Sequence, residues 1–119
     1  MKKTLILGAS PNPDRYAYLA AKKLISHGHQ VVLYGKRKGN IDGNEILLDH
    51  KLISDIDTIT IYLNPLHQKE YYDLITKINP KRVIFNPGTE NPELYKLLDK
   101  FGIDHFEACT LVLLSTNAF

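Results

Sequence analysis

A single cysteine, Cys109, excludes an internal disulfide framework and fits a reducing compartment. No apolar run reaches membrane-spanning length, and ACTLVLL near the C-terminus is far too short. The opening residues MKKTLIL, closed at once by Gly8, make no secretory h-region. The expectation is a cytoplasmic protein without a membrane partner. Excess charge is small: 15 basic against 13 acidic side chains leave +2, too mild for a nucleic-acid binder. The histidines His27, His29, His50, His67 and His105 have no Cys or carboxylate partners at metal-ligand spacing, so no metal site is expected. A Gly-x-Ser-x-Gly elbow and a Walker-type Gly-Lys-Ser/Thr loop are both missing, and no catalytic group is assigned. Repeats, linkers and low-complexity segments are also missing. The 119 residues therefore read as one domain, 1–119, long enough for a hydrophobic core.

Alternating apolar blocks are what the chain does have. TLILG (4–8), QVVLYG (30–35), DTITIYL (57–63), RVIFN (82–86) and IDHFE (103–107) have strand character. Between them, helical spacing predicts helices over 13–27, stopped by Gly28, and over 66–78, ended by Asn79-Pro80. A third is entered through Asn91-Pro92 and stopped by Gly102, and a short one covers 109–116. Strands alternating with helices imply right-handed crossovers. The fold expected is α/β: a Rossmann-like, doubly wound five-stranded parallel sheet, order 3-2-1-4-5, with helices on both faces. Its switch point falls between the first and fourth strands, with ligand at the carboxyl ends.

The first strand ends in Gly8-Ala9-Ser10-Pro11-Asn12-Pro13-Asp14-Arg15, where Ser10 and Pro13 replace the second and third glycines of a dinucleotide fingerprint. Asn12 is a candidate cap with Pro13 at the first helical position, and free amides there attract an anion. Ser10 adds a hydroxyl. Arg15 in a first helical turn opposes the helix dipole unless an anion is bound or Asp14 pairs with it. The second strand ends in Gly35-Lys36-Arg37-Lys38, where an NAD site places an acid. Cations there suit a phosphorylated ribose, as in NADP or coenzyme A, or form only a solvated basic loop. The third strand ends in Tyr62-Leu63-Asn64-Pro65 and the fourth in Asn86-Pro87-Gly88, Asn-Pro turns that enter helices. Tyr62 and Leu63 offer a wall for a base or thioester arm, and Gly88 a close backbone approach. Cys109 is either a small buried hydrophobe or a thiol at the ligand edge.

GASPNPDRYAY, the basic turn after the second strand, the Asn-Pro turn after the third and NPGTEN after the fourth together resemble the small stand-alone CoA-binding proteins. Those are related to the CoA-binding Rossmann-like domain of the succinyl-CoA synthetase α subunit. The resemblance covers Lys3 to about Leu114. It implies a CoA pyrophosphate over Gly8, Ala9, Ser10 and Pro11 with Arg15 close by. It implies an adenosine 3′-phosphate against Gly35, Lys36, Arg37 and Lys38. Tyr62, Leu63, Asn64 and Pro65 would border the adenine and pyrophosphate, and Asn86, Pro87 and Gly88 the pantetheine side. Relatives often carry Asn-Pro-Lys after the second strand and Ser at the position of Ala17. The synthetase's second domain and phosphorylated histidine have no counterpart here, so its activity is not carried over.

The leading expectation is a non-catalytic module that binds coenzyme A or an acyl-CoA. A small NADP-dependent oxidoreductase or redox sensor is the first alternative, since the same cations suit a 2′-phosphate. A protein-interaction domain with a vestigial nucleotide site is the second. Tyr71 and Tyr72 point to a homodimer or partner-enzyme contact, or to plain core.

Overall fold

Short aliphatic and β-branched runs become strands here because both faces of the sheet are covered, so no polar alternation is needed. The computed structural model describes residues 3–119. In chain order its elements are β1 (Thr4–Leu7), α1 (Tyr16–Ser26), β2 (Val31–Tyr34), β3 (Asn40–Ile41), β4 (Asn44–Leu47), β5 (Thr58–Ile61), α2 (Pro65–Gln68), α3 (Tyr72–Ile78), β6 (Arg82–Phe85), α4 (Pro92–Lys100), β7 (Asp104–Glu107) and α5 (Thr110–Ser115). Every residue of β1 and β5 is buried. Leu5 and Leu7 join Ile59, Ile61, Val83 and Phe85 on one face, covered by Ile75 of α3 and by Leu94 and Leu98 of α4. Ile6, Leu33 and Ile46 face the other way, onto Ala17, Ala21 and Leu24 of α1 and Leu114 of α5. Ala17, Ala20 and Ala21, all small and buried, let that helix lie close to the sheet.

The sheet has seven strands in the order β3-β4-β2-β1-β5-β6-β7, which corrects the expected five-stranded 3-2-1-4-5 arrangement. Strand 57–63 does not lie outside β2. It pairs in parallel with β1, Thr4–Leu7 against Thr58–Ile61, and the switch point is therefore between β1 and β5. The place outside β2 belongs to β4, which runs parallel to it through Leu33–Ile46 and Tyr34–Leu47. β3 folds back on β4 as an antiparallel hairpin. Its turn is Asp42-Gly43, at φ 48° and 88°, the left-handed pair that a tight hairpin requires.

Two helices also differ from expectation. α1 begins at Tyr16 with Arg15 as its N-cap, not at Pro13 with Asn12 as the cap. Asn12 instead closes a turn: its Oδ1 accepts from the Asp14 N–H at 3.0 Å. The helix expected over 66–78 is broken into α2, a 3₁₀ turn at Lys69–Tyr71, and α3. The Asn91 cap and Pro92 entry of α4 hold, with Asn91 Oδ1 accepting from the Leu94 N–H. Gly102, at φ 70°, follows the end of α4, and Asn79, at φ 52°, ends α3. Tyr71 and Tyr72 are half-buried and pack against the core.

Gly35 sits where the turn after β1 meets the end of β2. A Cβ at this position would lie 2.2 Å from the Ala9 carbonyl oxygen, which is backbone and cannot swing away. Gly35→Ala is therefore expected to destabilise the fold by about 2–3 kcal/mol through overpacking. Urea unfolding checks this: the midpoint should fall with the slope unchanged.

Candidate functional site

Parallel strands send all their carboxyl ends to one edge, and there the loops after β1, β2, β5 and β6 converge. The turn after β1 is pinned first. The Gly8 and Ala9 N–H groups both donate to the Tyr34 carbonyl, each at 3.0 Å. Gly8 takes φ 95°, which suits glycine, and its α-carbon lies against Leu63. Next, the Asn12 N–H donates to Ser10 Oγ at 3.1 Å and the Arg15 N–H to the Asn12 carbonyl at 3.1 Å. The turn thus satisfies itself locally and hands α1 over without a side-chain cap. The first amides of an α-helix have no partner within it, so those of Tyr16 and Ala17 open a helix N-terminus that favours an anion.

These amides front a cleft of about 380 Å³. Gly8, Ser10, Arg15, Tyr16 and Ala17 form one side of its lining. Arg37, Tyr62 and Asn64 line it from the β2 and β5 loops, and Pro87, Gly88 and Thr89 from the β6 loop. Arg15 and Arg37 are exposed and form no ion pair among the described residues. Asp14 does not pair with Arg15, so the structural alternative for that cation is not realised. Ser10 Oγ accepts from Asn12, which leaves its hydroxyl hydrogen free to donate.

The expected site residues thus divide. Gly8, Ser10, Arg15, Arg37, Tyr62, Asn64, Pro87 and Gly88 meet at the cleft. Ala9 is buried, and Gly35 packs against its carbonyl. Pro11 packs against Gly39. Lys36 turns away into an ion pair with Glu70 at 2.9 Å. Lys38 is exposed beside the cleft lining rather than within it. Leu63 supports Gly8, and Pro65 opens α2 behind the Asn64 cap. Asn86 is buried and is not part of the cleft lining. Its Nδ2 donates to Thr60 Oγ1 at 2.7 Å and to the Ile61 carbonyl at 2.9 Å, and its Oδ1 accepts from the Thr110 N–H at 2.9 Å.

Sequence reasoning missed Tyr16 and Thr89, and it missed the residue that ties two walls together. Gln68, fully buried, donates from Nε2 to the Leu63 and Thr89 carbonyls, each at 2.8 Å, and accepts from Asn91 Nδ2 at 2.9 Å. A buried amide that satisfies loop carbonyls gives no periodic signal. Tyr16 was detectable only by knowing that the helix starts three residues late.

Next to the cleft lies a second, smaller pocket of about 260 Å³, lined by Tyr16, Tyr62, Asn86, Pro87, Cys109 and Leu111. The Tyr62 hydroxyl is sealed from solvent without a hydrogen-bond partner among the described residues. Burial drives its pKa up to about 12. The nearby Thr110 and Thr60 hydroxyls pull the other way, although neither reaches hydrogen-bonding geometry with it. Among the described residues no cluster of three or more His, Cys, Asp or Glu is placed to hold a metal ion, and no helix is long and apolar enough to cross a membrane.

A mostly parallel sheet covered on both faces, with its loops converging on one cleft at the switch point, makes this an α/β domain of Rossmann-like type. Residues 2–115 match the family of CoA binding domains, and the chain belongs to that family. No curated protein matches. Solved structures do. A crystal structure of an uncharacterized protein is 51% identical, covers 100% of this chain and 98% of its own, and superposes with a TM-score of 0.96. A Thermus thermophilus structure, cell-free ID.343, is 21% identical over 99% of this chain and 90% of its own, with a TM-score of 0.88. A conserved hypothetical protein from Pyrococcus furiosus is 26% identical over 94% and 98%, with a TM-score of 0.83.

The buried phenol carries a pH signature. Because its folded pKa exceeds the value near 10 of an unfolded chain, the folded state holds the proton longer. Stability from this group is complete below pH ~10 and is lost as pH rises toward ~12, where the unfolded chain has already released its proton. Denaturant unfolding between those limits should show a shallower decline in Tyr62→Phe than in the wild type. Equal slopes would mean that the phenol is hydrated.

Proposed function

We propose that this protein binds coenzyme A non-catalytically, with the diphosphate in the cleft between Ser10, the α1 N-terminus and the β6 loop. The observation that carries the reading is the convergence, on one cleft, of a helix N-terminus without a side-chain cap and of Arg15 and Arg37, neither in an ion pair among the described residues. Membership of the CoA-binding family supports coenzyme A as the ligand. With the Gly8 and Ala9 amides spent on Tyr34, the donors left to the diphosphate are the α1 amides, the Ser10 hydroxyl and Arg15. Arg37 takes the 3′-phosphate, since Lys36 is held by Glu70. Gly88, at φ 89° with open space where a Cβ would stand, lets the pantetheine arm pass close to the backbone.

Calorimetric titration with CoA, dephospho-CoA, NADP and NAD tests this. CoA should bind at least tenfold more tightly than dephospho-CoA, a difference of about 1.4 kcal/mol. Binding of NADP alone would assign the site to a 2′-phosphate, and no binding at all would point to a vestigial site. Arg15→Ala should cost about 1.5–3 kcal/mol toward every phosphate ligand, the worth of a charge-assisted hydrogen bond. Arg37→Ala should erase the preference for CoA over dephospho-CoA, while Lys36→Ala should leave it nearly intact.

A further inference from the structure

We infer that the small pocket beside the cleft receives the acyl group of a short-chain CoA thioester. The inference rests on the CoA reading and deepens it. The pocket and the cleft share Tyr16, Tyr62 and Pro87 as lining, so the pocket adjoins the cleft and lies within reach of a ligand laid along it. Its remaining walls are Leu111 and Cys109, at the start of α5, and Asn86.

Two of the polar groups around this pocket, those of Asn86 and Tyr62, are not offered to a guest. The Asn86 amide is spent on Thr60, Ile61 and Thr110. The Tyr62 hydroxyl is buried beside Thr60 and Thr110. What faces the space is two tyrosine rings, a proline, a leucine and a thiol. Such a lining gives nothing to a hydrated head group and favours hydrocarbon. The volume of about 260 Å³ lies below the usual range for a drug-sized ligand, so it admits a few carbons and not a fatty tail.

The consequence is a chain-length profile. Each methylene that enters an apolar pocket should tighten binding about fourfold. Titration with CoA, then acetyl-, propionyl-, butyryl-, hexanoyl- and palmitoyl-CoA, should show affinity rising by about that factor per carbon, then levelling or falling before the longest chain. Leu111→Phe, which fills the pocket, should flatten the series, with circular dichroism confirming that the variant is folded. CoA bound with equal affinity to all its short thioesters would overturn the acyl pocket and leave the CoA reading standing. Failure of every member to bind would overturn both. A wild-type slope retained in Leu111→Phe would place the acyl group elsewhere and overturn the assignment.

Discussion

The Tyr34 carbonyl, accepting from both Gly8 and Ala9, is the contact on which the site depends. It holds the chain to the end of β2 for two residues after β1 has finished. The backbone cannot start its helix there, and Ser10, Pro11 and Asn12 must first turn it away from the sheet. Gly35 is the counterpart of that contact, because any larger residue would collide with the Ala9 carbonyl. The delay moves the start of α1 to Tyr16, and the Asx turn at Asn12 uses up the side chain that would otherwise have capped it. An open helix N-terminus at the carboxyl edge of the sheet is thus a product of turn geometry.

Electrostatics then sorts the cations. A basic stretch has little meaning as composition, since surface ion pairs are weak and abundant. Lys36 pairs with Glu70 on the surface and is not part of the cleft lining. Among the described residues Arg15 and Arg37 pair with no carboxylate, and both line the cleft, where the field of the helix start has the same sign. Three like-signed features facing one space make an anion the natural occupant. Beyond them the surface turns apolar, with Tyr16 between the two regions. A ligand with a charged end and an oily end fits that gradient.

Much of this was legible in the sequence. The β1 turn, the basic turn after β2 and the Asn-Pro turns were visible because turn chemistry is local, whereas Arg15, expected inside the first helical turn, stands at the N-cap of α1. The alternation of apolar blocks gave a doubly covered parallel sheet for the same reason. The strand order was misjudged because β4 is a half-buried strand of four residues, NEIL, behind a two-residue partner, with no helix to announce the crossover. Asp42-Gly43 was the available signal, a tight-turn dipeptide that precedes an alternating segment. Gln68 could not have been found, because its value lies in carbonyls 5 and 21 residues away that only the folded chain brings within reach. The role of Lys36 was equally hidden, since Glu70 reaches it only after the sheet is assembled.

An amide-resolved NMR titration with coenzyme A tests the central claim most directly. Large shift changes should appear at Ser10, Tyr16, Ala17 and Gly88, and at Arg37, with little change around His50 and Lys77 in the separate cavity of about 410 Å³ between α3 and the 3₁₀ turn at His50–Leu52. Changes confined to that second cavity, or spread without focus across the sheet, would contradict the account of the carboxyl-edge cleft.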